Sequence, residues 1–111
     1  MNLTVNEPGR RLTIEGRVTS ADLPDLRQVV LRQVDMGLGD LVLDVHRVVV
    51  TDRCVLGLLL EAHRRAERHG RRVLLLNVPI TLGRLLRRTG VGRLLNCVIE
   101  TAPLPTLVAS R

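Results

Sequence analysis

The 111-residue chain has no Phe, Tyr or Trp and no Lys, and it has only two cysteines, Cys54 and Cys97. Each absence excludes something. Without aromatics the core must be aliphatic, and such a core can still reach native density because volume and pattern matter more than ring content. Single-stranded nucleic-acid binders stack bases on aromatic platforms, and none exists here. Two cysteines are too few for a secreted disulfide framework. No apolar run approaches the ~20 residues of a membrane span. The N-terminal MNLTVNEPGRR lacks the charged-then-apolar order of a signal peptide. These exclusions lead to the expectation of a cytoplasmic protein without membrane insertion. Hydrophobic residues at 45% and charged residues at 25% are ordinary values for a globular domain. The length is that of one domain, expected to span 1–111 with its core at about 3–100.

All seventeen basic residues are arginine, and the formal net charge is +6. The arginines are spread through every segment instead of forming a basic tail, so the pattern gives little support to nucleic-acid binding. It describes a solvated surface that favours an acidic partner.

Strand and helix signals alternate along the chain. Leu3 and Val5 alternate with polar residues over Asn2–Glu7, Pro8-Gly9 signals a turn, and Leu12 and Ile14 alternate over Arg11–Glu15. This predicts a β-hairpin, with Gly16 ending it. A helix is expected from Ser20 or Asp22 to Gly37, with Leu23, Leu26, Val30 and Val34 on one face and Pro24 tolerated in the first turn. Gly37 is expected to be the left-handed residue that closes it. Asp40–Val45 reads as a strand buried on both faces, and Val48–Val50 as its continuation into a loop. A second helix is expected over Arg53–His69, stopped by Gly70. A strand is expected over Arg72–Leu76 and a third helix over Ile80–Thr89, stopped by Gly90. A helical turn over Val91–Leu95 and a strand over Cys97–Glu100 complete the order. The last residues, APLPTLVASR, are expected to hold little regular structure. The fold class is therefore α/β, a mixed sheet of four to five strands with helices packed against it.

No metal-ligand spacing, phosphate loop or GxSxG motif is present, so neither a metal, a cofactor nor an enzymatic activity is expected. His46, His63 and His69 lie apart, and His63 sits where a packed core-edge histidine is expected. One junction stands out: VVVTDRCVLGLLLEAHRRA, residues 48–66. Asp52 suits the N-cap of the second helix. Arg53 puts a cation in the first turn, where the helix dipole disfavours it, and a rule-breaking residue at a helix head points to function. Cys54 could be a reactive thiol at a helix N-terminus, or a small residue that fills space. A nucleophile at Cys54 is the reading under which the protein would be an enzyme. Cys97, in an apolar strand, reads as a buried spacer.

In the order and spacing of its segments the chain resembles the STAS domains of the anti-sigma-factor-antagonist type. That family has a hairpin, a Gly-x-Leu-Asp segment before the first helix, a strand ending Leu-Asp-Leu-Ser, and a Met-Asp-Ser-Ser-Gly-Leu-Gly junction opening the second helix. The corresponding stretches here are Gly16-Arg17-Val18-Thr19, Leu43-Asp44-Val45-His46 and Thr51-Asp52-Arg53-Cys54-Val55-Leu56-Gly57. The stretch LLLNVPITLGRLLRRTGVGRLL is similar to the family's later strand, third helix and glycine turn.

The resemblance implies a non-catalytic protein that binds an anti-sigma factor of the histidine-kinase ATPase type. In the family, the partner phosphorylates a Ser or Thr directly after the Asp and is thereby released. Here that position is Arg53, followed by Cys54, and the Asp before the first helix is Thr19. Thr51 is a nearby hydroxyl, but it precedes Asp52. The implied docking surface is Asp52, Arg53, Cys54, Gly57, Leu58, Glu61 and Arg64, flanked by Thr19 and Asp44. Two consequences stay open. The chain is a binder that its kinase cannot switch off, or it has left the cycle and serves a transporter ATPase or a stress-signalling assembly. Self-association into a homodimer is open as well.

Overall fold

The computed structural model describes residues 1–50, 53–95 and 99–101, of which 94, 95 and 99–101 by backbone alone. Thr51, Asp52, Cys97 and the tail from residue 102 onward lie outside the described residues. The elements run β1 (Asn2–Glu7), β2 (Arg11–Val18), a 3₁₀ turn (Ser20–Asp22), α1 (Leu23–Met36), β3 (Asp40–Val50), α2 (Cys54–Arg68), β4 (Arg72–Val78), α3 (Ile80–Thr89), α4 (Val91–Leu95) and β5 (Ile99–Thr101).

The five strands form one mixed sheet whose spatial order is the chain order. β1 is antiparallel to β2, and β2, β3, β4 and β5 are parallel neighbours. Right-handed crossovers that step the same way each time put their helices on one face of the sheet. Accordingly, Leu26 and Val30 of α1, Leu58 and Leu59 of α2, and Leu82 of α3 meet Ile14, Leu43 and Val48 of the sheet around one residual apolar void of about 20 Å³. The aliphatic core closes as the pattern requires: Leu12, Leu41, Leu43 and Leu75 of the central strands are almost fully buried.

Three local expectations are corrected. β2 does not end at Gly16 but continues to Val18, with Gly16 paired to Val48. The glycine instead supplies a left-handed backbone (φ 93°) inside the strand, close to Met1. β3 does not end at Val45 but runs on to Val50. Thr13 faces Asp44 while Glu15 faces Arg47, so β3 carries one extra residue, a bulge. The bulge takes up the two consecutive exposed residues His46 and Arg47, which break the alternation in sequence.

The third correction concerns Gly37, which is extended (φ −130°, ψ 179°), not left-handed. It is glycine because a Cβ there would collide with the Gly9 carbonyl and come within 3.0 Å of Arg71 Nη2. The left-handed conformation falls to Gly39 (φ 74°). Gly90 does close α3 in a left-handed conformation (φ 75°), as expected.

The end of the sheet where β3 and β4 begin is held by Arg71, which is 5% exposed. Its guanidinium donates to the carbonyls of Gln33 (2.8 Å), Val34 (2.7 Å), Gly39 (3.0 Å) and Gly9. The first two belong to the last turn of α1, where carbonyls lack helical partners. Gln33, also buried, accepts the Gly9 N–H through Oε1 at 2.7 Å.

Candidate functional site

The opposite end of the sheet, at the C-terminal ends of the parallel strands, is where open α/β sheets usually present their ligand sites. Val18 and Val50 are paired there as the last residues of β2 and β3. From them the chain passes to the heads of α1 and α2, which pack on each other. Thr19 is therefore beside the end of β3. Its N–H and hydroxyl donate to Asp22 Oδ2 at 2.9 and 3.2 Å, a capping box that opens the turn before α1. The Thr19 N–H bond holds the Asp22 carboxyl below its ordinary value.

α2 begins at Cys54, and the N-cap position belongs to Arg53. Arg53 has helical dihedrals (φ −68°, ψ −14°), and its carbonyl accepts the Leu56 N–H at 2.9 Å. Asp52, the expected cap, precedes Arg53 and lies outside the described residues. Arg53 is exposed, and the first turn of α2 contains no acid. The unfavourable cation at the helix head is thus uncompensated within that turn.

Beside this head runs a groove of about 500 Å³ between α1 and α2. Ser20, Leu23, Pro24 and Arg27 form one wall, and Cys54, Gly57, Leu58 and Glu61 form the other. The spacing of Cys54, Gly57, Glu61 and Arg64 keeps them on one stripe of α2. Gly57 is exposed, and a Cβ there would meet nothing within 4 Å among the described residues. Cys54 is half-buried and Arg64 exposed.

Two of the expected contact residues are already engaged within the chain. Leu58 is 6% exposed and serves the core, showing the groove only part of its side chain. Glu61 receives Arg27 through two bonds, Nε at 2.8 Å and Nη2 at 2.5 Å. That pair holds the Glu61 carboxyl below its ordinary value. A second fork, Arg65 on Asp35 at 2.8 and 2.6 Å, continues the α1–α2 zipper. Sequence periodicity gave no signal for either cross-helix pair, because each joins residues about thirty positions apart.

Asp44 is not at the junction. It lies six residues before Val50, about 20 Å along an extended strand. It is 6% exposed and paired in register with Thr13 and Leu76. His46 donates to its Oδ1 from the backbone N–H (3.2 Å), and the His46 ring Nδ1 lies at 3.0 Å. Arg11 reaches Oδ2 at 3.2 Å, and Asn77, in a left-handed conformation, reaches Oδ1 at 3.4 Å. Burial pushes the Asp44 carboxyl up, but the bonds from His46 and Asn77 outweigh it and the carboxyl is held below its ordinary value. Asp44 therefore joins three strands, away from the groove.

His63 is buried, as expected of a packed histidine, with Nε2 3.5 Å from Glu67 and Nδ1 without a partner among the described residues. No group of three or more His, Cys, Asp or Glu among the described residues could hold a metal ion. No helix among them is long and apolar enough to cross a membrane.

A family model described as "Mlab, STAS domain" matches residues 3–98. The chain belongs to the STAS domain family. The solved structures similar to this STAS domain include the anti-sigma factor antagonist SpoIIAA in its unphosphorylated form, at 16% identity and a TM-score of 0.69, with 96% of this chain and 90% of that one covered. An anti-sigma-factor antagonist (STAS) domain protein from Planctomyces limnophilus gives 11% identity and a TM-score of 0.70, covering 96% and 92%. The Bacillus cell fate determinant SpoIIAA in its phosphorylated form gives 17% and 0.66, covering 96% and 93%. No curated protein sequence matches the chain. At these identities the solved structures establish a shared fold.

Proposed function

We propose that this STAS domain is a stoichiometric, non-catalytic antagonist that binds an anti-sigma factor of the histidine-kinase ATPase type and cannot be released by phosphorylation. The observation that carries this reading is the exposed Arg53 at the head of α2, beside the groove floored by Gly57. A phosphate at this position would add about two negative charges. Arginine places a positive charge there instead and offers no hydroxyl to the kinase. The partner face is acidic. Arg53 pairs at its centre and Arg64 at its rim, and Asp52, Cys54, Gly57 and the exposed part of Leu58 supply the contact. Glu61 reaches the partner only by releasing Arg27, which makes it a tuner of register. Thr19 flanks the contact, and Asp44 takes no part in it. Such a partner places the protein in the cytoplasm.

Pull-down from native extract, with and without ATP, identifies the partner. Arg53→Ala is expected to weaken binding at least about tenfold, or about 1.4 kcal/mol, and Arg53→Glu to abolish it. Arg64→Ala changes affinity modestly and flattens the salt dependence, as a rim charge does. Unchanged affinity for Arg53→Glu refutes the surface. After kinase treatment the protein stays unmodified by mass spectrometry, whereas Arg53→Ser gains a phosphate. A phosphate on Thr51 refutes the lost switch.

A second reading, an accessory subunit of a transporter ATPase or a stress-signalling assembly, draws on the same missing hydroxyl and predicts the same Arg53 dependence with a different captured protein. If Cys54 were a nucleophile, thiol labelling would abolish a turnover; under the binding readings it changes at most the affinity.

A further inference from the structure

The chain carries no Asp or Glu between Glu67 and Glu100, while Arg84, Arg87, Arg88 and Arg93 fall in or beside α3 and α4. All four are exposed, and none takes part in an ion pair among the described residues. Between these helices and the end of β4 lies a groove of about 410 Å³. Val78, Gly83, Leu86, Gly90 and Gly92 line it, with the exposed Arg87 and Arg93 completing the lining.

Gly83 is inside α3, where glycine is among the poorest residues. Packing against the described residues does not require it there: among them a Cβ would have only Val78 Cγ1 within reach, at an ordinary contact distance of 3.8 Å. What the missing side chain leaves is the groove.

We propose that this groove is a second docking site, separate from the α2 head, for an acidic segment of a protein partner. An apolar side chain of that segment sits over Gly83, and its carboxylates meet Arg87 and Arg93. The exposed arginines select the acid and the apolar floor selects the anchor. A cationic amphipathic helix binds a lipid surface by burying its apolar face there. Leu82 and Leu86 of α3 are each 2% exposed and committed to the core, which leaves Ile80 at the start of the helix, 71% exposed, as its one strongly exposed apolar residue, too little apolar face for a bilayer and enough for a peptide. A phosphate backbone would use the arginines but leave the apolar floor unoccupied.

The test uses the full ¹⁵N-labelled chain and, as probe, a short peptide with one leucine flanked by glutamates. Its amide shifts should fall within residues 78–93. Gly83→Leu, and the pair Arg87→Glu with Arg93→Glu, should each lower affinity about tenfold or more, while Arg84→Glu lowers it about threefold or less. If Gly83→Leu does not fold, Gly83→Ala fits the contact distance and should weaken binding while melting no lower than wild type.

Equal binding of a leucine-free glutamate peptide overturns the proposal, as does indifference to both Gly83 variants. So does tighter binding of anionic vesicles or of an oligonucleotide, the absence of any shift, or shifts at Cys54–Glu61 instead. The α2-head variants are titrated separately, so either site can fail alone.

Discussion

Replacing Arg71 with methionine keeps the bulk of the side chain and removes its charge. In the wild type the guanidinium supplies four carbonyls, on the β1–β2 turn, the end of α1 and the start of β3. Three of those bonds are buried, so water cannot readily take over. A hydrogen bond to a charged group is worth about 1.5–3 kcal/mol net, and a buried acceptor left unsatisfied costs about 1–3 kcal/mol. Burial disfavours the cation and pulls the Arg71 pKa down from its ordinary value, so its removal returns part of that loss. Bonds sharing one donor group are also not additive. A net destabilisation of about 2–4 kcal/mol follows, which at this chain length is a fall in Tm of about 8–16 °C. Arg71→Lys should recover less than half of it, because an ammonium cannot spread its donors as a planar fork does. Thermal and urea unfolding followed by circular dichroism measure both variants. A methionine variant within about 0.5 kcal/mol of wild type, the ordinary range for a surface substitution, would refute the argument, as would a lysine variant equal to arginine.

Gly37→Ala and Gly57→Ala should behave oppositely. The first drives a methyl into the Gly9 carbonyl and should destabilise by about 1–3 kcal/mol in thermal melts, as overpacking does. The second meets no described atom within 4 Å inside a helix and should stabilise by up to about 1 kcal/mol. Because Gly57 floors the groove, Gly57→Ala should also weaken partner capture in the titrations used for Arg53. The carboxyls of Asp22, Asp35, Asp44 and Glu61 are all held below their ordinary values in the folded chain. Depressed folded values mean that the unfolded chain binds protons first, so stability is full above the unfolded carboxyl range and is lost as pH falls below about 4. Melts across acid pH should show this limb, and Asp44→Asn should flatten it; a midpoint rising toward acid would contradict the sign.

Much of the architecture was legible in the pattern itself. Period-two and period-three-to-four spacing marks β1, α1, α2 and α3, and Gly70 and Gly90 mark where two helices stop, because these signals act within a few residues of chain. The cation at the head of α2 was legible too, since Arg53 and Cys54 need no folding to be noticed. What only the tertiary structure decided rests on contacts across long stretches of chain. The bulge that carries β3 past His46 and Arg47 is set by the register of β2. Gly37 is glycine because the Gly9 carbonyl lies against it, and helix capping by itself would have assigned it the wrong conformation. Arg71 reaches a carbonyl sixty-two residues away, and Glu61 is taken by an arginine thirty-four residues earlier. A local pattern records which side of an element is apolar. It holds no information about which distant donor meets which acceptor, because that pairing exists only after the sheet has brought its strands into register.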